Sequence, residues 1–423
     1  MKSYRVLTLN NVNNFLFILL LTLMINTPLL LKPLKAGILL LLIIVFLIKL
    51  KNNNIFIYKD IFLLFSITLV ASSLFSFNGA IKITENPFAL STVSFLFPLI
   101  WMFIISSLLD RNILNKIHKL LILSTYFLTI YIILFILNQI GIIPDSLFIT
   151  LETNNQSGFY YRNGQMEFSL LCLASLMFLI PYYYSSILFN EKISYIQGIF
   201  LILITLIFIL SGRRGLQLAV LISFFNIYLL IFFIKNKTIK KKIKNRKRLI
   251  KRIIYIGLSI IVPYTIIFNV IDYYSIYTFF LDGFDFTNQD NFSSFTRLKV
   301  FYSLYDVWTN NPLFGGGYGS HGDIIRNTSM PWAYELTYNA LLAQIGLIGI
   351  LLYFCTTIWI IWQLTIIIKS QDIRDVQISF SFLVGMISFL VASASNSYLT
   401  KFDYLWVIFI PLIVINIYKY NKN

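Results

Sequence analysis

The chain is 423 residues long, 58% hydrophobic and only 12% charged, and carries a net charge of +17. A soluble globular domain is excluded, because a water-facing surface needs far more charge than this. Nucleic acid is excluded as the partner of the positive charge, because 11 of the 34 Lys and Arg crowd into residues 235–252, between two apolar runs.

Runs of about 20 apolar residues, each long enough for a ~30 Å hydrocarbon core, recur throughout. Twelve spans are predicted, near 15–31, 36–50, 61–78, 88–109, 120–138, 168–189, 195–211, 216–234, 253–271, 336–368, 376–395 and 402–418. Asn26, Pro28 and a four-residue link also permit the first two to form a re-entrant pair. The first run follows Lys2 and Arg5 as in a signal peptide. No small-x-small cleavage site follows it, only "NTPLLLKPLK", so an uncleaved first span is expected. The expected fold class is an all-α polytopic membrane protein, with residues 1–423 as a single membrane domain.

Residues 139–167, after the fifth run, contain "TNNQSGFYYRNGQME", which sets Arg162 and Glu167 beside Tyr160 and Tyr161. Further on, "ILSGRRGLQL" (209–218) places Arg213 and Arg214 between two stretches with almost no other charge. An arginine at mid-bilayer costs roughly 2.5–3.5 kcal/mol on insertion scales. Gly212 and Gly215 supply the backbone freedom of a tight turn, which moves both arginines to an interface instead.

The basic segment 235–252 fixes which interface. It reads as a cytoplasmic loop held against anionic lipid, at about 1 kcal/mol per basic residue near the surface. With that loop and both termini inside, 24 basic residues fall inside and 10 outside, as the positive-inside rule expects. The segments 139–167, "SGRRG" and 272–335 are then external. Snorkelling to lipid phosphates is the bland account of Arg213 and Arg214.

The external loop 272–335 is too long for a mere connection. Within it "SSFTRLKVFYSLYDVW" reads as a helix with Ser293 or Ser294 as N-cap. Leu298, Phe301, Leu304, Tyr305 and Trp308 form its apolar stripe, with Arg297 at the stripe's edge and Lys299 and Asp306 opposite. An arginine held toward an apolar face needs an anion, either a ligand or an external Asp such as Asp282, Asp285 or Asp290. "NNPLFGGGYGSHG" lacks the Lys-Ser/Thr and the preceding strand of a phosphate-binding P-loop, and reads as a glycine-rich turn under the next segment. His321 lies in it.

In "SMPWAYELTYNALLAQIGLIGI", Pro331 suits a helix's first turn. Glu335, Tyr338 and Asn339 then share a face by their i, i+3, i+4 spacing. A carboxylate at a helix N-terminus complements the dipole, and it can also serve as a base. Gly346 and Gly349 allow close packing. Cys172 and Cys355 fall inside predicted spans and read as packing residues, and the two histidines, His118 and His321, form no metal-ligand pattern. No metal and no cofactor are expected. The external face thus collects Arg162, Arg213, Arg214, Arg297 and Glu335 beside aromatic residues. Planar guanidiniums there suit phosphate or diphosphate on a lipid, and one carboxylate among them suits a general base.

Three of these pieces resemble the O-antigen ligase/polymerase superfamily, the bacterial polytopic glycosyltransferases that use undecaprenyl-diphosphate-linked glycans. "LSGRRG" is similar to the family's Gly-Ser-Arg-Gly turn, with Arg214 on the motif arginine and Arg213 where serine is usual. "TRLKVFYSLYDVWTNNPLFGGGYG" is similar to its arginine-led helix before x-Pro-Leu-x-Gly-x-Gly, which places Arg297 on the motif arginine. "ELTYNALLAQIGLIG" resembles the helix that in ligases begins His-Asn and ends Gly-x-x-Gly. Glu335 stands where ligases have His, which favours the Wzy-type polymerases. The matches span roughly residues 150–350.

The resemblance implies a GT-C-like membrane glycosyltransferase, multi-pass in the bacterial cytoplasmic membrane with its site facing the periplasm or exterior. It would join undecaprenyl-diphosphate-linked repeat units into O-antigen or capsular polysaccharide without a metal and with inversion. The implied catalytic residues are Glu335, Arg214 and Arg297. Arg162, Arg213, Tyr161, Tyr338, Asn339 and His321 would bind substrate. Implied partners are the lipid-linked glycan donor and acceptor, membrane lipids and a chain-length regulator protein. The alternatives are an O-antigen ligase and, in a different class, a lipid-linked-oligosaccharide flippase, which would carry charges along a central cavity.

Overall fold

The structure is a computed structural model that describes residues 2–82, 96–148, 158–162, 165–189, 194–211, 213–233, 292–325, 328, 330–369 and 372–422. Among these the helices are α1 (Lys2–Asn26), α2 (Lys32–Lys51), α3 (Lys59–Lys82), α4 (Phe97–Ser107), α5 (Asn112–Gln139), α6 (Leu173–Ile187), α7 (Tyr195–Leu210), α8 (Arg214–Phe233), α9 (Phe292–Asn310), α10 (Thr337–Ile368), α11 (Ile373–Ala392) and α12 (Trp406–Tyr420). The helical class is as the sequence reads, with one addition. Part of the 139–167 segment forms a two-stranded antiparallel hairpin, β1 (Gly158–Arg162) and β2 (Gln165–Ser169).

Six of the described helices, α1, α2, α3, α5, α10 and α11, are long and apolar enough to cross a membrane. Five more, α4, α6, α7, α8 and α12, are shorter apolar helices. The chain is an α-helical membrane protein. Eleven of the predicted spans fall on these helices, while the ninth (253–271) and the basic loop 235–252 lie outside the described residues. The first two runs form helices of 25 and 20 residues, more than a re-entrant pair requires.

α6 explains where the core sits. Every residue from Leu173 to Ile187 is buried, as expected of a helix that is apolar all round. It packs against α5, α8 and α11. Phe178 meets Phe382 of α11 and the edge of Trp406 at the start of α12. α11 comes close because Gly385 has no Cβ, which would stand 2.8 Å from the Phe178 ring.

Contacts sort the described connections into two ends. At one end Asp403 reaches the α1–α2 turn, Asn396 meets Thr337, and Tyr318 donates its amide to Phe75 O of α3. At the other, Arg111 pairs with Asp372 and Asp375, Lys49 Nζ donates to Ser107 O, and Asn416 bonds the backbone at Phe56 and Tyr58. Lys419 lies over the Tyr58 ring.

α10 is broken at Gly346, whose φ of 63° is left-handed. The glycine-rich loop fills the break. Gly316 and Gly317 donate to Ala343 O and Gln344 O at 2.8 Å, while Leu347 and Ile348 donate to Pro312 O and Leu313 O. A Cβ on Gly346 would lie 2.4 Å from Leu313 O. An open break inside a membrane would strand these backbone groups; the loop satisfies them. The close approach expected of Gly346 is therefore real, but its partner is this loop.

Three local expectations are corrected. α9 begins at Phe292, so Ser293 and Ser294 lie within its first turn rather than capping it. Pro331 lies in a turn, and α10 starts only at Thr337 with Leu336 as N-cap. α9 is also rotated from its predicted facing. Its buried side is Val300, Leu304 and Val307, packed with Tyr334, Ala340 and Ala343, so Arg297 falls on the buried stripe. Phe301 and Tyr305 of the predicted stripe are exposed.

Candidate functional site

Four segments meet at the end of the bundle where α10 begins. The first is the turn between α7 and α8. Ser211 closes α7 by donating its amide to Ile207 O, and its Oγ accepts the Arg213 amide at 3.3 Å. Arg213 O then accepts from the amides of Leu216 and Gln217, which starts α8. Arg213 is thus the N-cap residue and Arg214 the first residue of α8, at the helix's positive end. Gly215 lies so close to the fourth segment that a Cβ would stand 2.9 Å from Asn396 Nδ2 and 3.3 Å from the Met177 methyl. Only glycine fits. The Arg213 side chain is half-buried; the position of Arg214 is described for its backbone alone.

The second and third segments bring the ion pair. Arg297, in the second turn of α9, donates from Nε to Glu335 Oε2 at 3.1 Å, with the side chains 26% and 42% exposed. The anion that Arg297 needs is Glu335; Asp282, Asp285 and Asp290 lie outside the described residues. Among the described residues this bond uses Nε, and the fork of Nη1 and Nη2 keeps its donors. Glu335 stands two residues before α10, so it does not share a helical face with Tyr338 and Asn339. Tyr338 instead donates its hydroxyl to Leu390 O at 2.6 Å, and Asn339 is half-buried nearby in sequence.

The fourth segment, 393–405, joins α11 to α12 and was not singled out from the sequence. Thr337 Oγ1 donates to Asn396 O at 2.8 Å. Two residues on is Tyr398, which feels both charges. Burial pushes its hydroxyl above the ordinary tyrosine range, Arg213 pulls it down and Glu335 pushes it up. Asn396, which meets both Gly215 at the start of α8 and Thr337 at the start of α10, brings these segments to one place, and both charges act on the nearby phenol. Lys401, three residues further, is lowered by burial. The available signal was a polar run, "SASNSYLTKFDY", holding the only charges between positions 376 and 418.

His321 Nδ1 faces Gly322 O at 3.0 Å, and the Gly322 amide donates to the hydroxyl of buried Tyr334, next to Glu335. Burial pushes the Tyr334 hydroxyl up. Arg162 ends β1 opposite Gln165, and Tyr161 pairs with Met166; of their side chains the structure describes nothing. The hairpin's second strand packs against α7, which leads into the Ser211 turn. Both cysteines are free, Cys172 buried and Cys355 exposed.

The structure therefore pairs Arg297 with Glu335 and brings the Arg213 turn to the same end of the bundle, where both it and the start of α10 meet Asn396. A guanidinium paired with one partly exposed carboxylate, at the same end as a second arginine, can bind a polyanion and accept a proton beside it. Comparison with protein-family models, curated proteins and solved structures finds no match to this chain.

Proposed function

We propose that the chain is a membrane glycosyltransferase that polymerises lipid-linked oligosaccharide repeat units, with its site on the outer face of the bacterial cytoplasmic membrane. The observation that carries this reading is the Arg297–Glu335 pair, half open to solvent beside Arg213 and Tyr398. The donor would be a glycan on undecaprenyl diphosphate, and the acceptor hydroxyl belongs to the next repeat unit. As the hydroxyl oxygen bonds to the anomeric carbon, the bond from that carbon to phosphate oxygen breaks, and single displacement inverts the centre. The leaving diphosphate takes the electron pair. Fixed guanidiniums of Arg297 and Arg214 stabilise that charge, with Arg213 and Arg162 as further binding groups. Glu335 takes the hydroxyl's proton.

The pair also suggests an order of events. Arg297 binds Glu335 through one nitrogen, whereas phosphate oxygens match its planar fork with two parallel bonds. A diphosphate would draw the guanidinium away from the carboxylate, which faces the acceptor in this reading. His321, Tyr161, Tyr338 and Asn339 would bind the sugars in this reading, with Tyr338 acting through its ring because its hydroxyl already bonds Leu390 O.

One observation favours a transporter instead: α10 is discontinuous, as spanning helices of many transporters are. The loop 312–317 occupies that break with backbone hydrogen bonds, which favours a fixed site over an open ion site. A single assay separates the readings. Purified protein is incubated in liposomes with a synthetic undecaprenyl-diphosphate repeat unit. A ladder of lengthened glycans is expected; transfer to a lipid A core acceptor alone would mean a ligase, and substrate that crosses the bilayer unchanged would mean a flippase. The orientation is tested by impermeant cysteine labelling, which should reach positions 155 and 290 from outside and 243 only after permeabilisation.

A further inference from the structure

α9 has three faces, and the third lacks a role in the site. Val300, Leu304 and Val307 face the protein core around Tyr334 and Ala343. Lys299, Asp306, Thr309 and Asn310, with Tyr302 among them, form an exposed and mostly polar flank. Between them runs an aromatic strip, Phe301, Tyr305 and Trp308, with Phe301 and Tyr305 stacked at 6.3 Å and Tyr305 against Trp308 at 5.4 Å. Phe301 is 37% exposed and Tyr305 46%. Trp308 Nε1 donates to Pro312 O, which joins the strip to Leu313 and Phe314, both more than half exposed.

The depth of this surface follows from α10. Leu313 O accepts the Ile348 amide, and Pro312 O the Leu347 amide. From Ile348 to the end of α10 at Ile368 is about 30 Å of helix, the thickness of a hydrocarbon core. Leu347, Ile348 and Leu351 at that level are exposed apolar residues of a membrane-length helix. Leu313 and Phe314 therefore extend a lipid-facing surface. On α3 the same loop is anchored at Phe75 O by the Tyr318 amide, seven residues before that helix ends at Lys82.

We propose that the C-terminal half of α9 and the loop 311–314 lie in the headgroup–acyl boundary of the bilayer leaflet on the site's side, with Phe301, Tyr305, Trp308, Leu313 and Phe314 in contact with lipid. Tyr and Trp are favoured at that depth, with an apolar ring body in the acyl region and a polar tip in the headgroups. The three-sided pattern of protein, lipid and water is that of an interfacial helix. The loop expected from the sequence to be wholly external is in part a membrane element. It holds Arg297 at headgroup height, though the inference does not depend on what Arg297 binds.

The test uses the full chain, carrying Cys355→Ser, in vesicles of phosphatidylethanolamine and phosphatidylglycerol. Single cysteines at Lys299, Tyr305, Asp306 and Phe314 are labelled with a nitroxide, and collisions with oxygen and with a water-soluble nickel chelate are compared. Labels at 305 and 314 should show an oxygen-to-nickel ratio several-fold above those at 299 and 306. Equal ratios at all four positions would overturn the proposal by placing the strip in water. Shielding of 305 and 314 from both reagents would overturn it too, by revealing a protein partner. Quenching of Trp308 fluorescence by brominated lipid, measured against Trp308→Phe, gives a second reading without any cysteine. Unchanged quenching in that variant would also overturn the proposal.

Discussion

Two ion pairs sit at the same end of the bundle, and they differ in what surrounds them. Lys35 and Asp403 meet at 2.8 Å with side chains only 5% and 7% exposed. Both bond further within the protein: Lys35 Nζ also donates to Thr27 O, and the other Asp403 oxygen accepts the Leu29 amide at 2.6 Å. That amide belongs to a turn in which Leu29 and Leu31 hold left-handed φ of 63° and 52°, unfavourable for leucine. The buried pair fixes a strained turn. Arg297 and Glu335 meet at 3.1 Å with 26% and 42% exposed, and among the described residues the fork of the guanidinium keeps its donors. A pair buried in the protein holds shape, whereas a pair partly open to solvent can exchange partners.

The sharpest way to break this contrast is to remove one member of each pair. Lys35→Met leaves a buried carboxylate uncompensated and should lower stability by about 3–5 kcal/mol, read as the melting temperature in detergent. Adding Asp403→Leu should recover part of that loss, since only the Leu29 amide is then left unpaired. Glu335→Gln should leave melting nearly unchanged, because partly exposed pairs contribute about 0–1 kcal/mol. Its effect belongs in the polymerisation assay, where loss of a general base reduces rate by roughly 10²–10⁴. Glu335→Asp should keep partial activity, and Glu335→His should keep more than Gln because imidazole can accept the proton. Wild-type polymer from the Gln variant would sink the assignment and reduce Glu335 to a structural carboxylate. A smaller effect is expected of Arg297→Lys, which retains charge but loses the fork. Charge-assisted bonds of about 1.5–3 kcal/mol make that loss roughly tenfold to a hundredfold in rate. Unchanged glycan length would leave Arg297 only its bond to Glu335.

The same contrast shows what the sequence made legible. Apolar runs are written along the chain, so the helices were readable; of the two glycines expected to form a turn, Gly215 lies inside α8 and Gly212 outside the described residues. The residues of the open pair were readable too, because Arg297 and Glu335 are charges next to apolar segments. Their being each other's partner was not, since 38 positions separate them and their approach depends on the rotation of α9. That rotation was misread for a physical reason. Helical periodicity finds an apolar stripe but does not say whether protein or lipid covers it, and in α9 the strongest aromatic stripe is the one the core leaves exposed. Lys35 and Asp403 were equally invisible, because a lysine near a helix end in a membrane ordinarily snorkels. Tyr398 was passed over because a tyrosine in a polar connection carries no pattern; its place is known only once Thr337 and Gly215 are seen against Asn396.

The smallest effect concerns Arg213, and it tests the register of the site. Arg213 occupies the N-cap of α8 and Arg214 the first helical residue. Serine is a better cap than arginine because its oxygen can accept from the N2 or N3 amide. Arg213→Ser should therefore hold or slightly raise stability, by up to about 1 kcal/mol. It removes one of several cations near Tyr398, so polymerisation should fall by less than about tenfold, the equivalent of 1.4 kcal/mol. Arg214→Ser should be far more damaging, because Arg214 stands at the positive end of α8 where a phosphate would be met by both charge and backbone amides. Both variants are measured in one polymerisation assay with melting as the control. Equal loss from the two would mean that the guanidiniums act only as a diffuse charge at the interface. A larger loss from Arg213→Ser would move the diphosphate contact one residue back, onto the side chain that already acts on Tyr398 together with Glu335.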